Sequence, residues 1–260
     1  MRIQQKYVVI ISITTSLLIW EGIVRFFNIS HGIFPPFSSV LSRIFLSRNI
    51  LFIHLSYTLI EILLGFGIAF LTGIFLSLLF DRISPLKNFL YPLLVSFQSV
   101  PKIALAPLFV IWFGYGLMPK IVMAAFISFF PILIGAMAGL SSYEEEMEMF
   151  MDMLNASWWK RIWKIKLPIA IPHIMTGCKV SITLAVVGAI IGEFVNPSKG
   201  LGYIIEIGKE NFDTSLQFGA ILLVSIMGWL LFELIGLIEK LFFKKYQTTS
   251  SEQNIGATYV

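Results

Sequence analysis

The chain of 260 residues is 57% apolar and only 13% charged, with a mean hydropathy of +0.85. This balance excludes an ordinary soluble globular domain, and several apolar runs are about twenty residues long, enough to cross a membrane as helices. The composition therefore predicts an all-α polytopic membrane protein. The net charge of +4 does not indicate nucleic-acid binding, because the cations gather at the ends of the apolar runs, where they act as topology signals.

Six apolar runs predict about six transmembrane helices, at residues 8–27, 56–80, 88–114, 118–140, 169–194 and 215–243. The first run has the basic flank of a signal peptide but no small-residue cleavage site, so we expect it to be retained as a membrane helix. If the N-terminus is cytoplasmic, the inner segments carry more lysine and arginine than the outer ones. This bias predicts that both termini are cytoplasmic.

The segment after the first run predicts an outer loop followed by a short amphipathic helix on the membrane surface. Pro35 and Pro36 block a helix there, and Ser38 or Ser39 is expected to cap the helix that follows. Another outer loop is predicted at residues 195–214, where Asn-Pro and glycine residues signal turns.

The third run is interrupted by QSVPKIALAPL, where prolines remove backbone donors and Lys102 lies at membrane depth. Such a break is tolerated only where the backbone faces protein or a water-lined cavity. Polar groups here and at the end of the fifth run are predicted to line a translocation pathway, since they are costly in lipid. The predicted pathway residues are Gln98, Ser99, Pro101, Lys102 and Glu193. The alternative is that Lys102 reaches an interface and that Glu193 ends its helix.

The loop 141–166 is the one long polar segment predicted on the cytoplasmic side. Four apolar residues at helical spacing predict one apolar face on a first helix: Met147, Phe150, Met151 and Leu154. A second short helix is predicted from Trp158, with Pro168 ending it and Asn155 left-handed between the two helices. Such a helix pair suits docking in a groove of another protein. The alternative is a solvated loop whose amphipathic helix rests on lipid.

This loop resembles the EAA loop of permease subunits of binding-protein-dependent ABC importers. The family pattern reads E-A-A, three residues, G, nine residues, I-x-L-P. The I-x-L-P end is matched by Ile165, Leu167 and Pro168, and Asn155 falls on the glycine. Met149, Phe150 and Met151 replace E-A-A, and Glu148 lies one residue away.

Four other stretches are similar to the branch of this family that serves nitrate, sulfonate, taurine and thiamine or riboflavin precursors. They are QSVPKIALAPLFVIWFGYG (98–116), FFPILIGAMAGL (129–140), LPIAIPHIMTG (167–177) and GEFVNPSKGLGYII (192–205). The resemblance covers nearly the whole chain after the first loop. We therefore divide the chain into residues 1–55, a permease core at residues 56–245 and a polar tail at residues 246–260 that we expect to be disordered.

The resemblance implies a permease of the bacterial plasma (inner) membrane that works as a homodimer in lipid. Its implied partners are two cytoplasmic ABC ATPase subunits and an extracytoplasmic solute-binding protein. It also implies that this chain has no catalytic residue, metal or bound cofactor, with ATP and magnesium on the partner ATPase. In agreement, the chain contains no G-x-x-x-x-G-K-[ST] phosphate loop. The residues implied in ATPase coupling are Met149, Phe150, Met151, Leu154, Asn155, Ala156, Trp158, Trp159, Ile165, Leu167 and Pro168.

Within the branch, GEFV with GLGYII looks most like permeases for the thiamine pyrimidine precursor or a similar heterocycle. Sulfonate, taurine or nitrate are the alternative substrates. The alternative class is a secondary transporter driven by an ion gradient, which predicts acid pairs at mid-membrane in two related halves, whereas the acidic residues here are scattered. An intramembrane enzyme would need a motif such as H-E-x-x-H or G-x-S-x-G, and neither occurs.

Overall fold

The computed structural model describes residues 3–30, 32–143 and 145–242, and all regular secondary structure in these ranges is helical. The helices in chain order are α1 (Ile3–Phe26), α2 (Phe37–Leu46), α3 (Arg48–Arg82), α4 (Ser84–Gln98), α5 (Lys102–Phe113), α6 (Met118–Leu140), α7 (Glu145–Met153), α8 (Trp158–Arg161), a π-helical turn (Ile162–Lys166), α9 (Leu167–Val195), α10 (Leu201–Glu210) and α11 (Thr214–Phe242). The all-α prediction is confirmed. The predicted disordered tail, 246–260, lies outside the described residues.

Four stretches among the described residues are long and apolar enough to cross a membrane: α3, α6, the continuous helix Trp158–Val195, and α11. Helices α4 and α5 make a fifth span if they count as one, and they meet at an angle of 103°. The bend lies at residues 99–101, which confirms the interruption predicted at Pro101, whereas Pro107 lies inside α5 and does not interrupt it. Six crossings and cytoplasmic termini remain predictions.

The chain divides into two compact units, the first within Met1–Thr58 and Pro197–Ile226. In this unit the Trp20 indole of α1 donates to the Pro35 carbonyl at 3.1 Å. The predicted serine cap on α2 is wrong, because Pro36 occupies the N-cap position and the Ser38 hydroxyl donates to Glu21 instead.

The predicted outer loop at 195–214 contains a helix, α10, which is not predicted because turn-forming residues flank it. Gly200 precedes α10 with φ +112°, a conformation that favours glycine. Its N–H donates to His54 Nδ1 at 3.0 Å, and the Leu201 N–H donates to the Thr58 hydroxyl at 2.8 Å. These bonds tie the start of α10 to α3 within the first unit.

The second unit lies within Leu59–Asn196 and Met227–Val260, and α6 and α9 pack along most of their length there. Glycines allow the backbones to touch: a Cβ at Gly188 would lie 2.6 Å from Ala124 Cα, and one at Gly177 would lie 2.6 Å from the Pro131 carbonyl oxygen. Small residues of this kind drive helix association in lipid, where van der Waals packing replaces the hydrophobic effect. Around α6 and α9 lie two apolar clusters, one of which includes Ile162 of the π turn.

A buried charged cluster joins three helices of the second unit. Glu61 of α3, Lys120 of α6 and Glu193 of α9 are each at most 1% exposed. Lys120 Nζ lies 3.3 Å from Glu61 Oε1, and the Glu193 carboxyl adjoins that of Glu61. Because a buried charge is stable only when it is paired, the contact with Lys120 stabilises Glu61 in this position.

Replacing this lysine tests the cluster. We expect Lys120→Met to lower the free energy of unfolding by about 3–5 kcal/mol, because it removes the cation that lies 3.3 Å from the buried Glu61 carboxyl. The measurement is reversible unfolding in mixed detergent micelles. The control is Lys209→Met, which removes an exposed ion pair with Glu206 at 3.2 Å and should change stability by less than about 1 kcal/mol. Equal effects of the two substitutions would contradict the assignment.

Candidate functional site

Residues 145–166, here named the helix-pair segment, fold as two short helices separated by a tight turn. Asn155 has φ +48°, which confirms the predicted left-handed conformation. Its N–H donates to the Asp152 carbonyl at 2.9 Å, and the Ala156 N–H donates to the Met151 carbonyl at 3.0 Å. This pair of bonds is the Schellman arrangement, which satisfies the last carbonyls of α7 and reverses the chain.

Large apolar side chains of the helix-pair segment are exposed. Phe150, Leu154 and Trp159 are 54%, 59% and 58% exposed, as is much of Met149. Met151, Ala156 and Ile165 are half-buried. Exposed apolar side chains concentrated on one short segment are typical of a protein interaction site.

Trp158 turns inward rather than joining the exposed side chains. Its indole N–H donates to Asp81 Oδ2 at 3.0 Å, near the end of α3. Lys166 Nζ donates to the other oxygen, Oδ1, at 2.7 Å, and both ionised side chains are about nine-tenths buried. The Arg82 guanidinium lies 5.3 Å from the Trp158 ring centroid. Sequence reasoning missed Asp81, since nothing in the chain signals a contact between residues so far apart.

A second chain of contacts reaches Lys166 from the start of the segment. The Tyr143 hydroxyl donates to Glu148 Oε2 at 3.0 Å, and Lys166 Nζ lies 4.7 Å from the centroid of the Tyr143 ring. Burial raises the pKa of the Tyr143 phenol above its usual value, so it stays protonated and able to donate. Within the segment, Arg161 pairs with Asp152 at 2.6 Å.

The prediction that Pro168 ends the second helix is wrong. The helix continues from Trp158 to Val195, and a π-helical turn at Ile162–Lys166 stands directly before the proline. A proline ring clashes with the carbonyl four residues earlier, and the wider π turn leaves room for it. Leu167 packs beside Trp158 against the apolar cluster that contains Ile162. The helix-pair segment is therefore continuous with membrane helix α9.

A cavity of about 420 Å³ lies among α4, α5, α6 and α9 in the second unit. Of the predicted pathway residues, Gln98 and Lys102 line it, and α9 adds His173 and Thr176. Its volume is in the range of small-molecule sites. Ser99 and Pro101 form the break between α4 and α5 beside this cavity, whereas Glu193 is buried with Glu61 and Lys120. Across the described ranges, no three His, Cys, Asp or Glu side chains form a group that could hold a metal ion.

Comparison with known proteins gives this geometry its context. Residues 65–248 match the family described as binding-protein-dependent transport system inner membrane component. Over 225 residues, 86% of the chain, it is 34% identical to a probable ABC transporter permease protein of Haemophilus influenzae, covering 92% of that protein. It is 33% identical to the formylaminopyrimidine transport permease ThiX of Halalkalibacterium halodurans and to the riboflavin transport permease RibX of Chloroflexus aurantiacus. The matches cover 86% of this chain in both cases, and 90% and 85% of the relatives.

These findings fix the class of the protein. Permeases of this kind are not enzymes, and the hydrolysis of ATP belongs to partner subunits. The apolar helices and the family together place the chain in the plasma membrane as a multi-pass protein. The chain belongs to the family of inner-membrane permease components of binding-protein-dependent ABC transport systems.

Proposed function

We propose that this chain is the membrane permease of an ATP-driven importer and that its helix-pair segment docks on a cytoplasmic ABC ATPase. The observation that carries this proposal is the set of exposed apolar side chains on α7 and α8, Phe150, Leu154 and Trp159 among them. They lie on the helix-pair segment, whose second helix, α8, continues through the π turn into membrane helix α9. In the working complex two copies of this chain associate with two ATPase subunits and an extracytoplasmic binding protein.

Docking converts ATP binding into movement of membrane helices. Closure of the ATPase dimer, which binds ATP with magnesium, displaces the helix-pair segment. The displacement reaches α9 through the continuous helix, and α6 through its close packing on α9. Nucleotide binding shifts the balance between outward-facing and inward-facing states only through contacts that differ between these states.

The cavity between α4, α5, α6 and α9 is the proposed pathway for the substrate. It combines an apolar wall with the Lys102 ammonium, the Gln98 amide and the His173 imidazole. An ionisable side chain in a membrane segment is costly unless it faces a cavity or a partner, and Lys102 faces this cavity. Cationic and hydrogen-bonding groups suit a substrate that is rich in acceptor atoms.

The proposed substrate is the pyrimidine precursor of thiamine or a similar heterocycle. The likeness to permeases named for formylaminopyrimidine and riboflavin supports a heterocycle. The test is the thermal shift of the partner binding protein with formylaminopyrimidine, riboflavin, taurine and methanesulfonate in turn. A shift with formylaminopyrimidine supports the proposal, and a shift with a sulfonate alone would replace it.

A charge on the apolar face tests docking. Leu154→Asp should weaken association with the ATPase by about 30-fold or more, because a buried hot-spot side chain contributes about 2 kcal/mol. The measurement is co-purification and equilibrium binding of the ATPase to the permease in nanodiscs. Leu154→Met is the matched control, since it keeps an apolar side chain of similar volume. Unchanged binding by Leu154→Asp would contradict docking at this segment.

Removing the cation tests the pathway. Lys102→Met should lower the rate of substrate uptake by about tenfold or more, because a hydrogen bond to a charged group contributes about 1.5–3 kcal/mol. Uptake is measured in proteoliposomes that contain the complete transporter, with ATPase association as the control for folding. Lys102→Arg should retain more uptake, since the positive charge remains. Full uptake by Lys102→Met would exclude Lys102 from the pathway.

A further inference from the structure

One carboxylate joins the helix-pair segment to α3. Asp81 accepts from the Trp158 indole N–H at one oxygen and from the Lys166 ammonium at the other, at 3.0 and 2.7 Å. Trp158 is the first residue of α8, and Lys166 is the last residue of the π turn. Asp81 therefore contacts the helix before the π turn, at Trp158, and the last residue of the turn itself, Lys166.

The π turn is what allows one carboxylate to reach both side chains. In an α-helix, eight residues at about 100° each would place Trp158 and Lys166 about 80° apart around the axis. A π turn closes hydrogen bonds one residue further along, so the pair is separated by the equivalent of seven α-helical steps, or about 20°. Both side chains thus lie on the face that Asp81 occupies.

The π turn is also the weak point of the continuous helix from Trp158 to Val195. Its hydrogen bonds differ in geometry from those of the α-helices before and after it. Pro168 removes a further backbone donor directly after the turn. A force applied to α7 and α8 can bend the chain here instead of moving α9. A contact that links Trp158, before the turn, to Lys166, at the end of the turn, opposes such bending.

The buried position of the Asp81 carboxylate is unfavourable in free energy, which is consistent with a positioning role. An acid in the last turn of α3 opposes the helix dipole, and burial of its charge adds a desolvation cost. Lys166 offsets both, and it also lies over the Tyr143 ring, whose hydroxyl donates to Glu148 of α7. Both helices of the segment are thereby linked to one buried ion pair.

We infer that Asp81 is a positioning residue for ATP-driven transport: it braces the π turn so that the helix-pair segment and α9 move as one body. This inference rests on the proposed docking of the segment on the ATPase. It adds that docking alone does not drive transport, because an unbraced turn absorbs the movement of the ATPase.

The test compares movement on the two sides of the turn. In a Cys178→Ala background, a spin label replaces either Lys160 on α8 or Val187 on α9, both of which are exposed. The distance between the two copies of the label is measured by pulsed EPR in nanodiscs with the bound ATPase, without nucleotide and with ATP and vanadate. The braced protein should show an ATP-dependent change of distance at both positions.

The variant Asp81→Ala/Lys166→Met removes both charges together and so leaves neither buried alone. This variant should still bind the ATPase and show the ATP-dependent change of distance at residue 160. It should lose the change of distance at residue 187. Asp81→Asn, which retains an acceptor for Trp158, should give an intermediate loss at residue 187. The control, Glu206→Gln/Lys209→Met, removes an exposed ion pair at 3.2 Å and should leave both changes intact.

The outcomes separate the two proposals. A full change at residue 187 in the double variant and in Asp81→Asn would overturn the brace and leave docking intact. Absence of an ATP-dependent change at residue 160 in the otherwise unaltered protein would overturn the docking itself, and with it the brace. If the double variant fails to bind the ATPase, Asp81→Asn decides: loss at residue 187 with retention at residue 160 supports the brace.

Discussion

Helices α6 and α9 approach so closely that a Cβ at Gly139 would lie 2.7 Å from Ala170 Cα, and one at Gly188 would lie 2.6 Å from Ala124 Cα. In lipid, where apolar surface gains little from contact with other apolar surface, this backbone proximity supplies the packing free energy. Because α9 also continues into the helix-pair segment, the same contact would carry to α6 any displacement that passes the π turn in the proposed mechanism.

Packing alone does not determine the position of α3 along its axis, and charged side chains contribute to it. Gly65 and Gly73 let α3 lie against α6, but apolar faces permit sliding along the helix axes. Glu61 pairs with Lys120 in one half of α3, and Asp81 pairs with Lys166 near its end. We infer that these two buried ion pairs select the register of α3, in spite of their desolvation cost.

The sequence predicts the features that arise locally. The apolar runs locate the spanning helices to within a few residues except where flanking helical segments extend them, Pro101 predicts the break before α5, and Asn155 predicts the left-handed turn. The features that depend on distant residues escape such reasoning. From the sequence, Trp158 is predicted to be exposed, because its hydrogen-bond partner Asp81 lies 77 positions away. Glu193 is predicted to line the pathway, because its contacts on α3 and α6 cannot be recognised from the sequence. The prediction that Pro168 ends the second helix is wrong for a related reason: the π turn that accommodates the proline has no recognisable sequence pattern.

The replacement of E-A-A by Met149, Phe150 and Met151 has a structural counterpart in Glu148. Neighbouring residues of a helix differ by about 100° around its axis, so a carboxylate moved by one position faces another side. At position 148 it meets the Tyr143 hydroxyl at 3.0 Å, on the side of the buried Lys166. The Glu148 carboxylate therefore accepts a hydrogen bond from within this chain, while Met149 and Phe150 remain exposed. The proposed docking at this face would depend on apolar burial rather than on charge, and the free energy of apolar burial, unlike that of an exposed ion pair, is not screened by salt.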